Sequence, residues 1–173
     1  SVLFLILGFL VVNGARAINW EFFTQLPKPV GEAGGGMANA IVGSIKLLAA
    51  AALFGVPVGF MTGVYLAEFG GQRFPFVIRY VTDLLNGVPS IVIGIFAYAL
   101  VVVPMKRFSL LAGGLALAVM VIPITVRSTE QFLRAVPNTL REGGLALGAS
   151  RWRVVATIVI PAAIRGILTG TIL

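Results

Sequence analysis

The sequence predicts an all-α, polytopic transmembrane helical bundle. Hydrophobic residues occupy 58% of its 173 positions and charged residues only 11%. Soluble domains average about 45–50% apolar and about 25% charged residues, so this composition is typical of a chain that lies in a bilayer. Several apolar runs also approach or exceed the length of about 20 helical residues that crosses a hydrocarbon core of about 30 Å. The basic residues stand mostly at the ends of these runs, as expected for membrane topology.

The apolar runs predict about five spans, with the first and the last cut short. Residues 1–13 are expected to form the second half of a helix, because the run 2–12 starts without a Met or a charged segment and therefore differs from a signal peptide. Full crossings are expected at 41–66, 84–103 and 110–126. Another helix begins at residue 158 and stops after 16 residues, so we expect the transmembrane domain 37–173 to be an incomplete fragment.

The segment 14–36 predicts a flexible loop outside the cytoplasm. It contains Pro27, Pro29 and the glycine-rich stretch 31–36. A phosphate-binding loop would require Lys-Ser or Lys-Thr after the glycines, and none of the three lysines follows a glycine. We therefore predict no nucleotide site of that type in the chain.

The basic residues set the predicted orientation. Cytoplasmic loops of membrane proteins carry an excess of Lys and Arg. With the segments 67–82 and 127–157 inside, the cytoplasm holds Arg73, Arg79, Arg127, Arg134, Arg141, Arg151 and Arg153, and the opposite side holds Arg16, Lys28, Lys106 and Arg107. This excess predicts a multi-pass protein of the cytoplasmic membrane with the loop 128–157 in the cytoplasm.

The composition also argues against several classes of function. The chain has neither cysteine nor histidine, so thiolate chemistry and the usual general base and metal ligand are absent from these residues. Its six carboxylates are scattered one by one, which does not favour a lipid-modifying enzyme. The net charge of +7 comes without a dense basic run, so no nucleic acid partner is predicted.

The segment 67–90 combines apolar residues at helical spacing with charges. The apolar residues are Phe74, Val77, Ile78 and Val81, and the charged ones are Arg73, Arg79 and Asp83. The segment either lies in the headgroup plane or joins the ends of two spans, and the pattern does not separate these alternatives. The sequence NGVPS at 86–90 then predicts a kink at the entry to the next span.

Three charged residues lie close to the predicted bilayer boundaries. Lys46 is about five residues into its span, where it either extends to the headgroups or lines an anion path. Arg127 and Glu130 are three positions apart on a helix, so they share a face and are able to pair. They form either an ordinary helix-end pair or a charged lock at the inner mouth of a pathway.

A polar segment, EGGLALGASRWRVVATIVIP at 142–161, separates two apolar stretches. The spacing of Glu142, Gly148 and the terminal Ile-x-Ile-Pro resembles the cytoplasmic EAA loop of ABC-importer permeases. In that family the loop forms a short helix seated in a cleft of the ATP-hydrolysing subunit. Gly143 and Gly144 stand where the family usually has alanines, which keeps the small size but lowers the helix propensity.

The same segment has a physical interpretation as a docking lever. A short helix bounded by Pro137 and Pro161 would transmit force as a rigid body. Ala149, Trp152 and Val155 recur at i, i+3 and i+6 and would give it one apolar face. Trp152 either contacts a partner protein or lies among the lipid headgroups, and both alternatives remain open.

Two longer stretches carry a more specific resemblance. The strings TGVYLAEFGG, DLLNGVPSIVIGIFAY and VIPITVRSTEQFLRAVPNTLREGGLALGASRWR are similar to the phosphate-transport permeases of the PstA type. The likeness begins at about residue 37. It implies that Arg127 and Glu130 lie near the translocation route, and that Glu142 and Gly148 belong to the docking loop.

The resemblance also implies an assembly. The expected partners are a homologous permease of the PstC type, a cytoplasmic ATPase dimer, an extracytoplasmic phosphate-binding protein and the lipid bilayer. The chain would carry no cofactor and catalyse no reaction, because ATP and Mg²⁺ would be bound by the ATPase. Two alternatives remain: a permease for sulfate or molybdate, and a channel or carrier without an ATPase.

Overall fold

The computed structural model describes residues 2–29, 31, 32, 34–71 and 74–172, without the side chains of Arg16 and Ala17. Within these ranges the chain is almost entirely helical and has no strand, which confirms the predicted all-α class. Arg73, one of the arginines assigned to the cytoplasm, lies outside the described residues. The chain divides into two compact units, Ser1–Lys46 and Leu47–Leu173.

The first unit contains α1 (Val2–Ala17), α2 (Trp20–Thr24) and the beginning of α3. The Asn19 side chain caps α2 by accepting a hydrogen bond from the amide of Phe22 at 2.8 Å. The amide of Met37 donates to the carbonyl of Phe22 at 2.8 Å. The segment predicted as a flexible loop therefore includes a short capped helix, whose backbone holds the residues that lead into α3.

The helix α3 (Ala38–Val64) continues as a π-helical turn, Tyr65–Phe69. Together they form one helix of 32 residues that includes the predicted span 41–66. Pro57 lies inside it without ending it, as membrane helices tolerate where neighbours satisfy the freed carbonyl.

The next predicted crossing, 84–103, is broken. Residues up to Gly87 belong to α4 (Phe74–Gly87), and a second arm begins with α5 (Ser90–Ala97). This arm continues through a π-helical turn, Tyr98–Val102, into α6 (Val103–Met105). The arms meet at 98°, so the predicted kink is a sharp break. Pro89 lacks an N–H and disfavours a helical conformation at Val88, which separates the two helices.

The remaining chain forms two long helices joined by a short one. The helix α7 (Leu110–Ala135) starts at Ser109, whose side chain accepts a hydrogen bond from the amide of Ala112, and extends beyond the predicted 110–126. The short helix is α8 (Asn138–Ala146). The last long helix runs from Arg151 to Ile172 as α9 (Arg151–Val154), a π-helical turn (Val155–Val159) and α10 (Ile160–Ile172).

Three helices of the described residues are long and apolar enough to cross a membrane: Ala38–Phe69, Leu110–Ala135 and Arg151–Ile172. The bent pair formed by α4 and the arm Ser90–Met105 would make a fourth. The helix α1 is apolar but shorter. Each predicted apolar run therefore lies in apolar helices, although 84–103 is divided between two of them and 110–126 agrees with its helix only at the first residue.

Small residues allow the long helices to approach closely. A Cβ atom added at Gly59 would lie 2.6 Å from Thr125 Cβ, and one at Gly63 would lie 2.5 Å from Thr129 Cβ. Glycine at these positions lets the backbones of α3 and α7 approach, as in many membrane helix pairs. At the other side of α7, the Ser128 hydroxyl donates to the carbonyl of Gly170 in α10 at 2.7 Å. This packing fixes the C-terminal half of α7, which carries Arg127 and Glu130.

Candidate functional site

A buried carboxylate lies at the centre of the site. The side chain of Glu130, on α7, is only 7% exposed and takes part in three ion pairs. Arg79 donates to Glu130 Oε1 at 2.8 Å, and an Arg134 nitrogen lies 3.0 Å from the same oxygen. Arg127 Nη1 lies 3.8 Å from Glu130 Oε2. Burial of a carboxylate is costly unless cations and hydrogen bonds compensate it, and these three arginines supply that compensation.

Two helices supply the charged groups. Arg127, Glu130 and Arg134 lie on one face of α7, because their spacing of three and four residues matches the helical repeat. Arg79 lies on α4, 51 positions before Glu130 in the sequence, and its side chain reaches this face of α7. The site is therefore built on two packed helices rather than on loops.

The predicted pair of Arg127 with Glu130 is the weakest of these contacts. Arg127 instead directs its guanidinium toward Asp83 of α4, and its Nε donates to Asp83 Oδ1 at 3.1 Å. Its Nη2 also donates to that oxygen. The spacing in sequence placed the two residues on one face but did not reveal that α4 supplies a closer partner to each of them.

These side chains line an open cavity of about 480 Å³ formed by Arg79, Arg127, Glu130, Gln131 and Arg134. Three guanidinium groups and one carboxylate give the lining a formal net charge of +2. Glu130 Oε2 is buried and accepts no hydrogen bond from the described residues. Guanidinium groups bind tetrahedral oxyanions through two parallel N–H donors, so the cavity has the chemistry of an anion site.

A second buried ion pair lies nearby at the end of α3. Glu68, in the π-helical turn, is 5% exposed and accepts hydrogen bonds from Arg141 Nη2 at 2.7 Å and Nε at 3.1 Å. Arg141 belongs to α8 and also donates to the carbonyls of Leu133 and Val136, both at 2.6 Å. One arginine therefore joins α8, the end of α7 and the end of α3.

Three further arginines donate to backbone carbonyls of the same π-helical turn. Arg79 and Arg134 donate to the Leu66 carbonyl at 3.4 and 3.3 Å, and Arg151 donates to the Glu68 carbonyl. The last four carbonyls of a helix have no partner within the helix, and cations stabilise its negative C-terminal end. These physical requirements explain why arginines converge on Tyr65–Phe69.

The predicted docking loop consists of α8 and the turn after it. Glu142 and Gly143 are exposed, whereas Gly144 is buried, with Val154 Cγ2 only 2.9 Å from where its Cβ would lie. The chain turns at Gly148, whose φ of +80° favours glycine. Exposed apolar side chains lie on α8 and directly after it, namely Leu140, Leu145 and Leu147.

The docking segment differs from its prediction in one respect. A single short helix between Pro137 and Pro161 was expected, but α8 ends at Ala146 and Trp152 lies in the first turn of the next helix. Val155 is buried, so Ala149, Trp152 and Val155 do not form one exposed face. Trp152 is 63% exposed and its ring lies 5.5 Å from that of Phe69. The turn at Gly148 interrupts the helical periodicity on which the prediction relied.

Lys46 is the third charged residue that the sequence places close to a predicted bilayer boundary. Lys46 is exposed and, within the described ranges, has no ion pair with a carboxylate, so its role stays a prediction. No group of His, Cys, Asp and Glu side chains in the described part of the chain has the arrangement needed for a metal ion.

Residues 55–173 match the family described as the inner membrane component of binding-protein-dependent transport systems. The chain belongs to this family. It therefore is a multi-pass membrane protein, in agreement with its apolar helices.

Curated relatives narrow the comparison further. The chain is 44% identical over 164 residues to the phosphate transport system permease protein PstA of Yersinia pestis, covering 94% of this chain and 56% of the relative. It is 44% identical over 169 residues to PstA of Haemophilus influenzae, covering 97% and 60%. It is 35% identical to the probable ABC transporter permease protein YqgI of Bacillus subtilis, covering 100% and 59%. The chain thus spans 56–60% of the length of these relatives.

Solved structures show the same fold. Two inward-facing crystal forms of the MetNI methionine ABC transporter superpose with TM-scores of 0.65 and 0.67. Each is 23% identical and covers 78% of this chain and 67% of the compared chain. The predicted class, a helical bundle of the ABC-importer permease type, is confirmed.

Several residues of the site were not singled out from the sequence. Arg79 and Asp83 were noted only as charges on an amphipathic segment, and Glu68 and Arg141 were not considered as a pair. A signal was available for the first two, because they are four positions apart on α4 and therefore share one face. The pair of Glu68 and Arg141 spans 73 positions and had no local signal.

Proposed function

We propose that the chain is part of the membrane-spanning permease subunit of an ATP-driven importer that moves inorganic phosphate into the cell. The observation that carries the proposal is the cavity in which Arg79, Arg127 and Arg134 surround the buried Glu130. The names of the relatives of Yersinia pestis and Haemophilus influenzae support phosphate as the substrate.

The charges of the cavity suit transient binding of an anion. Three guanidinium groups attract an oxyanion strongly, whereas Glu130 offsets part of that attraction and occupies some of their donors. Transport requires binding that is favourable enough for entry yet weak enough for release. Arg127 and Glu130 therefore act together, with Arg79 and Arg134 completing the lining.

The carboxylate also favours phosphate over sulfate. Hydrogenphosphate carries a proton that it donates in a hydrogen bond, whereas sulfate at neutral pH is fully ionised. Glu130 Oε2 accepts no hydrogen bond from the described residues, but it is buried, so we infer that an anion reaches it as an acceptor only after the side chain turns toward the cavity. A fully ionised oxyanion would meet this oxygen only as a repelling charge. Sulfate and molybdate are therefore the anions that should be set against phosphate when the selectivity of uptake is measured.

Coupling to ATP requires a partner protein. We infer that α8 and the turn after it dock in a cleft of a cytoplasmic ATPase dimer, with Glu142, Gly143, Gly144, Gly148, Ala149 and Trp152 at or beside the contact. The exposed Leu145 and Leu147 supply apolar area for such a contact. ATP and Mg²⁺ would be bound by the ATPase, and this chain would hold no cofactor.

The remaining partners complete the transporter. A homologous permease of the PstC type would line the pathway together with this chain, and an extracytoplasmic phosphate-binding protein would deliver the anion. The loop 128–157 would face the cytoplasm, because it carries the docking segment and several arginines. The exposed apolar faces of α3 and α5 suit contact with lipid or with the second permease.

Uptake by the reconstituted complex tests the proposal. The full-length permease with its partners is placed in liposomes, and entry of labelled phosphate is followed with ATP supplied on the ATPase side. Arg127→Gln and Glu130→Gln are expected to reduce uptake strongly, whereas Arg107→Gln removes an exposed charge outside the cavity and serves as control. Normal uptake in both cavity variants would exclude the pathway assignment.

Selectivity and docking are measured in the same system. Competition by sulfate is expected to increase in Glu130→Gln, because the ionised acceptor is lost. Glu142→Lys is expected to reduce co-purification of the ATPase and to abolish ATP-dependent uptake. Unchanged phosphate flux without any ATPase would instead identify a channel or carrier.

A further inference from the structure

The π-helical turn Tyr65–Phe69 lies between the two charged clusters described above and contacts both. Arg79 and Arg134, which line the anion cavity, donate to the carbonyl of Leu66 in this turn. Arg141 of α8 binds the Glu68 carboxylate, and Arg151 donates to the Glu68 carbonyl. The cavity and the docking segment therefore share one five-residue element.

We propose that this turn relays movement of α8 to the anion cavity, and that Glu68 is the positioning residue that makes the relay rigid. The inference rests on the proposed docking of α8 to an ATPase. It goes further by naming the contact through which docking reaches the cavity.

The link from α8 to the turn is strong because it is buried and bidentate. Glu68 is 5% exposed, and the Arg141 side chain is 19% exposed. The planar guanidinium reaches Glu68 with two of its nitrogens and the carbonyls of Leu133 and Val136 with its remaining donors. A charge-assisted bidentate pair has a defined geometry, so displacement of α8 displaces Glu68 with it.

The link from the turn to the cavity depends on arginines that bridge it to Glu130. Arg134 lies 3.0 Å from Glu130 Oε1 and donates to the Leu66 carbonyl at 3.3 Å. Arg79 bridges the same two groups, at 2.8 and 3.4 Å. A shift of the Leu66 carbonyl therefore changes the positions of two of the three cations that face the anion.

The conformation of the turn suits this role. A π-helical turn is wider than an α-helical one and is frequent at functional sites. Here it ends α3, so its carbonyls are free to accept hydrogen bonds from outside the helix. The aromatic ring of Phe69 adds a third contact, because Arg151 lies 5.5 Å from its centroid and Trp152 packs beside it.

The test measures the accessibility of the cavity to a labelling reagent and does not depend on transport. Gln131→Cys places a thiol in the cavity of a chain segment that has no native cysteine. The assembled complex is treated with an anionic methanethiosulfonate reagent, and the labelling rate of this subunit is measured without nucleotide and with ATP plus vanadate. In the parent we expect the two rates to differ by about tenfold, within the usual range of coupling between sites.

Glu68→Gln is expected to reduce this nucleotide-dependent difference to less than about twofold, which corresponds to a loss of about 1 kcal/mol of coupling. Arg141→Gln is expected to do the same, while the ATPase still co-purifies with both variants. Arg153→Gln is the matched control, because Arg153 is exposed on the same segment and its side chain makes no ion pair or hydrogen bond with Tyr65–Phe69 in the described residues.

Several results would overturn the proposed relay through Tyr65–Phe69. A normal nucleotide response in Glu68→Gln would overturn the relay, as would an equal loss in Arg153→Gln. If Glu68→Gln fails to assemble, Arg141→Lys replaces it, since an ammonium group cannot reach Glu68 and both carbonyls together; a normal response there would overturn the relay too. A parent without any nucleotide response also overturns it, and phosphate uptake by that parent tells separately whether the proposed function holds.

Discussion

Arg79 Nε lies 2.8 Å from Glu130 Oε1, although 51 positions separate the two residues in the chain. The contact joins α4 to the C-terminal half of α7 and leaves the guanidinium of Arg79 at the wall of the cavity. The carboxylate thus orients cations that would otherwise repel one another, and under the proposed function an oxyanion would meet donors already in position.

The first prediction concerns this contact. Arg79→Gln is expected to weaken phosphate binding by about tenfold, equivalent to about 1.4 kcal/mol, because the cavity loses one of its three cations. Its hydrogen bond to a charged group contributes about 1.5–3 kcal/mol, so we also expect a lower thermal midpoint. Equilibrium binding and thermal unfolding of the purified complex measure both effects. Unchanged binding would show that Arg79 supports only the fold.

A second prediction concerns Asp83, which accepts a hydrogen bond from Arg127 and would compete with an anion for it. Asp83→Asn is expected to strengthen phosphate binding by up to about fivefold, because exposed ion pairs contribute about 0.2–1 kcal/mol. Both partners are exposed to solvent, at 57% for Asp83 and 39% for Arg127, so high salt should reduce the difference. Weaker binding in this variant at low salt would contradict the assignment.

A third prediction concerns the packing of α3 against α7. Gly63→Ala places a Cβ 2.5 Å from Thr129 Cβ, and separating the helices is expected to cost about 1–3 kcal/mol. Gly43→Ala is the control on the same helix, where nothing lies within 4 Å of the added atom. That change should leave stability the same or raise it by up to about 1 kcal/mol. Thermal unfolding in detergent measures both, and equal effects would refute the close approach.

A fourth prediction compares the neighbouring glycines of α8. Gly143 has open space around it, so Gly143→Ala is expected to stabilise the helix by about 1 kcal/mol. Gly144→Leu would meet Val154 and Ile158 at about 3 Å and push α8 away from the following helix. The thermal midpoint should therefore rise in the first variant and fall in the second. The opposite order would mean that α8 is turned the other way.

A fifth prediction concerns the turn between α8 and α9. Gly148 has φ of +80° and nothing within 4 Å, so a side chain there is strained by the backbone alone. Gly148→Val is expected to destabilise the turn by about 1–2 kcal/mol. Gly148→Asn should cost less, because Asn tolerates this conformation. ATP-dependent uptake should decline in the same order, and equal uptake by both variants would remove the turn from the coupling step.

Much of the fold follows from the sequence, because apolar runs of sufficient length leave few alternatives to membrane helices. The run 110–126 predicted α7, and only its C-terminal extension to Ala135 was missed. That extension is polar on one face, so a search for uninterrupted apolar runs ends too early. At Val88–Pro89 the Gly and Pro signals predicted a kink, but the size of the bend depends on tertiary packing.

The candidate site was less predictable. Arg127 and Glu130 were found because helical spacing puts them on one face, and both do line the cavity. Their best partners, Asp83 and Arg79, come from another helix, and no local pattern determines which face of α4 meets α7. The assignment of Trp152 to the short helix was wrong. The left-handed backbone at Gly148 interrupts the helical repeat, so the residues after it do not continue the faces of α8. The spacing of residues along the sequence therefore predicts neither the ion pairs between distant helices nor the turns at which a helix ends.

The glycines that bring α3 against α7 have a consequence for which side of the cavity is able to change. Gly59 and Gly63 leave no free space between the two backbones, so these helices neither slide nor tilt past each other without collision. The backbone that carries Arg127, Glu130 and Arg134 is therefore packed closely against α3. Arg79 stands on α4, which ends at Gly87, just before the 98° bend. We therefore expect a change in the shape of the cavity to come from α4 and from the long arginine side chains, rather than from sliding of α7 along α3.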